Sequence, residues 1–456
     1  MKVFTKIIIG ILFLIAACTG STSEGTTDKP NFIIIIADDA AWDDNEAYGH
    51  PTIKTPNIGR LAREGLRFDN AFLTISSCSP SRSSIMSGLY PHNTGAGELH
   101  MPLPKERIIF PGELKKLGYY TASAGKWHLG PERAGFDTIV GGGPSGCEHW
   151  VEVLQNRPKD KPFFLWLASY DPHRDYFPNT IPEPHAPQDV VVPPYLPDND
   201  STRKDLALYY DEISRLDSYI GEVMQELTKQ GIDNNTMVVF MSDNGRPFPR
   251  AKTRLYDSGI KMPFIVRWPE KVTGGEITAS MVSSIDIAPT LVELAGGAIP
   301  DTFQGVSFAP ILENKYMKIR DYIVAEHNWH DYQAHERALR TESFLYIMNA
   351  FPSLTASPPA DAVNSITYQE MIRLFEEGKL NENQKDCFLV PRPPEELYDV
   401  VEDPFQLNNL AGDSAYFEEL NQMREILNFW MEKTKDEVPL NPTPDKFNRW
   451  TGQKIN

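Results

Sequence analysis

The chain has 456 residues, 41% of them hydrophobic and 23% charged, which allows a large buried core and excludes both a disordered segment and a bundle of membrane helices. Lys plus Arg total 44 against 62 Asp plus Glu, a formal charge of −18, so a general affinity for nucleic acid or anionic lipid is excluded and any polyanionic substrate needs a locally basic pocket. The four cysteines, Cys18, Cys78, Cys147 and Cys387, are too few and too scattered for a disulfide scaffold or a cysteine zinc site, and Cys147 and Cys387 either pair or stay free.

In chain order, Met1 to Lys6 makes a positive start and Ile7 to Leu14 an apolar run too short to span a membrane but right for a signal peptide. The run ends in Ile15-Ala16-Ala17-Cys18, which resembles a bacterial lipoprotein box whose cysteine becomes the lipidated N-terminus; the alternative is an ordinary signal peptide with an incidental cysteine. Thr19 to Lys29, rich in Ser, Thr and Gly, reads as a flexible tether. The expectation is an exported protein whose sole link to a membrane is its lipid anchor, in the periplasm or on the cell surface.

Asn31 to Asp39 is a β-branched run ending in two carboxylates, the pattern of a strand buried on both faces. Phe163 to Tyr170 is a second such run, stopping at Asp171-Pro172-His173-Arg174, and Met237 to Met241 a third, stopping at Ser242-Asp243-Asn244-Gly245. In open α/β sheets the ligand site lies beyond the carboxyl ends of the strands, so three apolar strands that each end in polar chemistry describe one converging site. Taken singly, Asp38-Asp39 and Asp243-Asn244 read equally well as caps or turns. Lys204 to Lys229 and Ser283 to Leu294 carry helical apolar spacing, which predicts crossover helices on both faces of the sheet. From about Asp321 the texture changes: Tyr322 to Val324 and Phe344 to Ile347 read as short strands, Phe417 to Lys433 as a closing helix, and Asn349 to Pro394 as an insertion.

The most specific segment is Ser76-Ser77-Cys78-Ser79-Pro80-Ser81-Arg82, continued by Ser83-Ser84-Ile85-Met86-Ser87-Gly88-Leu89-Tyr90-Pro91. It resembles the signature of the type I sulfatase family, in which the cysteine is oxidised to formylglycine by a maturation enzyme. A hydrated aldehyde offers two hydroxyls, one to attack sulfur and one to expel sulfate, whereas a plain thiol would be left sulfated. Gly125-Lys126-Trp127-His128-Leu129-Gly130 resembles the family's next block, and His173 matches the residue that protonates the leaving group, a task suited to histidine near neutral pH. Lys252 falls where the family has a sulfate-binding lysine.

The resemblance covers nearly the whole mature chain, including Glu396-Leu397-Tyr398-Asp399 and Glu402-Asp403-Pro404 near its end. It implies an alkaline-phosphatase-like α/β fold, with a large mixed sheet between helices and a smaller C-terminal α+β subdomain. The implied layout is a signal peptide over 1–17, a lipidated tether over 18–29, a catalytic domain over 30–320 and the subdomain over 321–456. The implied catalytic set is Cys78, Arg82, Lys126, His128, His173 and Lys252, with one calcium ion held by Asp38, Asp39, residue 78, Asp243 and Asn244; hard oxygen ligands suit Ca²⁺. The stretch Arg246 to Tyr256 carries four cations and no anion. With Arg174, the arginines Arg246, Arg250 and Arg254 are therefore expected to form a basic funnel for a sulfated glycan.

Within the family the motifs are most similar to those of heparan N-sulfatases, and bacterial members of that likeness act on algal polysaccharides such as ulvan as well as on heparin-type chains. Two other readings compete: a phosphatase of the alkaline phosphatase superfamily, which would need a Ser or Thr nucleophile and two zinc ions, and a glycan-binding lipoprotein without chemistry. Detection of an aldehyde at residue 78 separates both from a sulfatase.

Overall fold

A computed structural model of the chain describes residues 29–131 and 135–455. The expected signal peptide (1–17), the expected lipidated Cys18 and the tether up to residue 28 lie outside the described residues.

The run of isoleucines after Asn31 forms the central strand, Asn31–Ala37, with all seven residues buried. Alternate side chains point to opposite faces: Phe32, Ile34 and Ile36 join one apolar cluster with Trp166 and Val239, and Ile33, Ile35 and Ala37 join another with Leu167 and Phe240. Each such side chain stabilises the fold by about 1.5–3 kcal/mol. Because both faces are apolar, hydrophobicity alone would tolerate a one-residue slip, and the register is held by polar ends. Asn31 N donates to Asn235 O at 2.9 Å, and at the other end Asp38 N donates to Asp171 O at 2.9 Å and Asp243 N to Ala37 O at 3.2 Å.

The large sheet has eight strands, running from edge to edge as Thr138–Val140, Tyr120–Gly125, Phe163–Ala168, Asn31–Ala37, Thr236–Ser242, Phe264–Arg267, Leu66–Phe68 and Glu276–Thr278. The first five are mutually parallel; Phe264–Arg267 is antiparallel to both its neighbours, so the sheet is mixed. The helix Asp200–Gln230 covers one face through Leu216, Ile220, Val223 and Leu227, and Ile287–Leu294 covers the other through Leu291 and Val292. The longer helix starts four residues before its expected beginning, because Asn199 caps it by accepting from Thr202 N at 3.0 Å.

A second, antiparallel sheet comprises Ile323–His327, Glu336–Arg340, Phe344–Asn349 and Glu395–Asp399, and the helix Phe417–Thr434 packs on it through Leu420, Met423, Leu427 and Trp430. Its last two strands are paired neighbours, with Met348 opposite Glu395 and Asn349 N donating to Pro394 O at 2.9 Å. The chain between them therefore leaves and re-enters the sheet at one point, as an insertion does. This is the large mixed sheet between helices with a smaller C-terminal α+β unit expected from the sequence. Cys147 and Cys387 are both buried, and neither pairs with another cysteine among the described residues.

Candidate active site

Four adjacent parallel strands end at one edge of the sheet, and each delivers polar residues there: Lys126 and His128 after Tyr120–Gly125, Asp171 and His173 after Phe163–Ala168, Asp38 and Asp39 after Asn31–Ala37, and Asp243 and Asn244 after Thr236–Ser242. Gly125 makes the first delivery possible: at φ 95° a Cβ there would lie 1.9 Å from Ala168 O. Asp39 holds a left-handed backbone, φ 74°, unusual for a residue with a side chain and typical of positions over-determined by a site.

Asn244 Nδ2 donates to Asp39 Oδ1 and to Asp243 Oδ1, both at 2.8 Å, and lies 3.2 Å from Cys78 Sγ. Asp38, Asp39 and Cys78 each bring one ligand atom within 4.8 Å of the others. Asp38 Oδ1 and Asn244 Oδ1 are buried without a hydrogen-bond partner. Buried oxygens left bare beside further carboxylates are a donor set that suits a hard cation such as Ca²⁺, although Cys78 brings a sulfur to the same cluster. Burial pushes the Asp243 carboxyl up to about 6, against the pull of Arg82.

Cys78 is the first residue of the helix Cys78–Ser87, every residue of which is buried. Its Sγ lies 3.8 Å from Asp39 Oδ1, at the helix end where N–H groups carry partial positive charge. Arg82, one turn on, shares that face: its Nε donates to Asp243 Oδ2 at 2.7 Å and one NH to Lys126 O at 2.8 Å. The helix spacing thus explains why Cys and Arg stand four apart. Burial pushes the Cys78 thiol far above its ordinary value, despite Lys126 and Lys252 nearby. An unmodified Cys78 is therefore a protonated thiol and a poor nucleophile.

Lys126 pairs with Asp38, whose carboxyl it holds well below the usual carboxylate range although burial works the other way. Lys252 donates to Asp39 Oδ2 at 2.6 Å and to Asp361 Oδ2 at 3.3 Å. His173 Nδ1 lies 2.5 Å from Arg174 O, which requires the hydrogen on that nitrogen and turns Nε2 toward Asp361 Oδ2 at 3.4 Å and Asp39 Oδ2 at 4.0 Å. His128 Nε2 meets His100 Nδ1 at 2.8 Å, and burial followed by the charges of Lys126 and Arg82 drives its basicity far down, so it is neutral.

All the expected catalytic and metal residues thus lie at one edge of the sheet; the expected arginine funnel does not form. Arg246 pairs with Asp43 at 2.8 Å and Asp44 at 3.1 Å, and Arg254 with Glu336 at 3.1 Å. Arg250 donates to Phe405 O and Gln406 O and stacks 3.7 Å over the Tyr256 ring, while Arg174 makes a bidentate pair with Asp205 at 2.8 and 2.9 Å. All three loop arginines are buried. Their charges looked unpaired because the partners come from distant segments, and buried guanidinium groups paired in this way hold the fold together instead of facing solvent. Of the four, Arg174 alone lines the open cavity of about 450 Å³ that Lys126 and His173 also line, together with exposed Tyr170 and Phe177.

The structure adds residues that sequence reasoning missed. Asp361, from the insertion, reaches Lys252 and His173; His100 meets His128; and His330 Nδ1 lies 2.6 Å from Ser77 Oγ, next to Cys78. None of them sits in a motif, and the Ser357-Pro358-Pro359-Ala360-Asp361 stretch carries no signal beyond being a turn.

Comparison with known proteins agrees with this geometry. The sulfatase family model matches residues 30–146 and 147–298, and the model of the N-sulphoglucosamine sulphohydrolase C-terminal region matches 250–349. An ulvan-active sulfatase of Formosa agariphila is 30% identical over 93% of this chain and 78% of its own length. Human N-sulphoglucosamine sulphohydrolase is 30% identical over 89% of this chain and 90% of its own. A solved structure in complex with its substrate D-glucosamine-2-N,6-O-disulfate superposes with a TM-score of 0.69 at 21% identity, over 90% of this chain and 99% of that one.

Proposed function

This chain belongs to the sulfatase family, and on that premise we propose that it removes sulfate from a sulfated polysaccharide or its oligosaccharides, an algal glycan such as ulvan or a glycosaminoglycan, using Cys78 matured to formylglycine and one calcium ion. The observation that carries this reading is the pair of bare buried oxygens on Asp38 and Asn244 in the cluster that also holds residue 78 at the start of its helix, with Cys78 Sγ 3.2 Å from Asn244 Nδ2. Asp38, Asp39, Asp243 and Asn244 would hold the ion, and the chemistry it would supply is positive charge to offset the carboxylates and to polarise sulfate oxygens. Residue 78, oxidised by a formylglycine-generating maturation enzyme, supplies a hydrated aldehyde with one hydroxyl to attack sulfur and another to release sulfate.

The other residues divide the remaining work. Lys126 and Lys252, both cationic because their carboxylate partners outweigh burial, bind and orient the sulfate. Arg82 holds Asp243 and the Lys126 turn in place. His173, with Nδ1 committed to a carbonyl, gives a proton from Nε2 to the leaving atom. His128, whose buried Nδ1 has no hydrogen-bond partner among the described residues, is assigned to take a proton as sulfate departs. Exposed Tyr170 and Phe177 on the cavity wall suit the apolar face of a sugar. The N-terminal residues support export and anchoring through lipid on Cys18.

A second reading, hydrolysis of an N-sulfate on heparin-type fragments, is favoured by the C-terminal match over 250–349. The test is sulfate release by matured enzyme from a panel of O-sulfated and N-sulfated mono- and oligosaccharides, with peptide mass analysis of residue 78. Release from O-sulfated sugars supports the main reading and release from N-sulfated sugars alone the second. No release from any of them, with the aldehyde in place, overturns both in favour of a glycan-binding protein.

A further inference from the structure

We propose that Asp361 determines substrate specificity by accepting a hydrogen bond from a hydroxyl or amine on the sugar carbon next to the scissile sulfate, and by repelling a second anion at that carbon; the inference rests on the sulfatase reading above. Asp361 comes from the insertion, whose short helix Ala360–Val363 is tied down at both ends. Ala360 N donates to Asp331 Oδ2 at 3.0 Å, and Val363 packs in an apolar cluster with Tyr368 and Phe388. Within this anchored turn the Asp361 side chain is 25% exposed and reaches Lys252 and His173.

Asp361 stands between two nitrogen groups, with Lys252 on one side and His173 on the other. Lys252 is fully buried and already has Asp39 at 2.6 Å, a closer partner than Asp361 at 3.3 Å. Asp38, Asp39 and Asp243 already face Arg82, Lys126 and Lys252, so Asp361 adds a negative charge beside a pocket built for an anion. Lys252 and His173 hold this carboxylate in place, and its partly exposed oxygens can accept one more donor from a bound sugar. Asp361 Oδ2 lies 3.4 Å from His173 Nε2, the nitrogen assigned to the leaving atom, so a group bonded to the adjacent sugar carbon comes within reach of the same oxygen. A hydroxyl there would be accepted and an ammonium held more tightly. A sulfate or carboxylate would meet like charge.

The experiment compares kcat/KM for a sulfated monosaccharide that the matured enzyme turns over, carrying a hydroxyl or an amine beside the sulfated position, with its analogue deoxygenated or deaminated at that carbon. Wild type should prefer the donor-bearing sugar about 10- to 100-fold, the range of a hydrogen bond to a charged group. In Asp361→Ala the preference should fall below about threefold, whatever happens to the absolute rate. Asp361→Asn should lose more preference on the amine than on the hydroxyl, which tells the two donors apart. A variant that keeps the wild-type preference while slowing on both sugars would show that Asp361 merely supports Lys252, and the proposal would fall. If wild type releases sulfate from none of the sugars, it is the sulfatase reading that fails.

Discussion

Cys78 and Arg246 show how differently one residue can be read. Cys78 declares itself through its neighbours, because a helix start with an arginine one turn later is a local pattern. Changing Cys78→Ala removes one buried sulfur, a loss of about 1 kcal/mol, and should leave the melting temperature within a few degrees while turnover falls at least about a thousandfold. Residual activity within tenfold of wild type, measured by sulfate release, would sink the formylglycine assignment. Arg246 looks from its flanking sequence like a free cation and is in fact buried against Asp43 and Asp44. Breaking such a pair costs about 3–5 kcal/mol, so Arg246→Met should unfold at markedly lower denaturant. Burial already raises the Asp44 carboxyl to about 7, with Arg246 opposing, and removing Arg246 raises it further. A carboxylate with a raised folded value is tolerated while protonated and becomes a penalty as pH rises through that value. The defect should therefore be larger at pH 9 than at pH 6, and denaturant melts at the two pH values check it.

Elements reach the site through turns and caps that no single element supplies alone. Gly125 ends its strand where a Cβ would strike Ala168 O, so Gly125→Ala should destabilise the protein by about 3 kcal/mol or more. It should also reduce activity by displacing Lys126; a variant with both stability and sulfate release unchanged would show that the turn has room. The helix Pro56–Arg63 has no side-chain cap of its own, and Asp217 of the helix Asp200–Gln230 takes that role, accepting from Ile58 N at 2.7 Å and Asn57 N at 3.1 Å. Burial lifts its carboxyl from 3.8 to about 6, with the two N–H groups opposing. Its contribution to stability is thus greatest below about pH 4 and is lost as pH rises through 6. Asp217→Ala should lower stability by about 1–2 kcal/mol at pH 4 and by less at pH 8, seen in thermal melts at both. The long helix was legible in the sequence from its 3.6-residue spacing. The cap it lends to another helix was not, because the partners are 160 residues apart.

For the whole molecule, the strand ends and the Cys78 helix converge on Asp38, Asp39, Asp243 and Asn244, where Asp38 Oδ1 and Asn244 Oδ1 have no hydrogen-bond partner among the described residues and a cation would meet them. Chelation should therefore inactivate the enzyme and lower its melting temperature. Calcium at 100 times its Kd would stabilise by about 2.7 kcal/mol, and calcium should restore activity better than zinc. Better recovery with zinc would favour the phosphatase reading. The sequence by itself determined the buried parallel strands, the helices on both faces, the smaller C-terminal unit and the residues that meet at the strand ends. Strand and helix patterns depend on near neighbours, and a parallel sheet forces its carboxyl ends to one edge. Only the tertiary structure decided that the loop arginines are internal and that Asp361 meets Lys252 and His173. Arg254 finds Glu336 82 residues away, and Lys252 finds Asp361 109 residues away. Electrostatic attraction depends on distance in space, and no spacing along the chain records it.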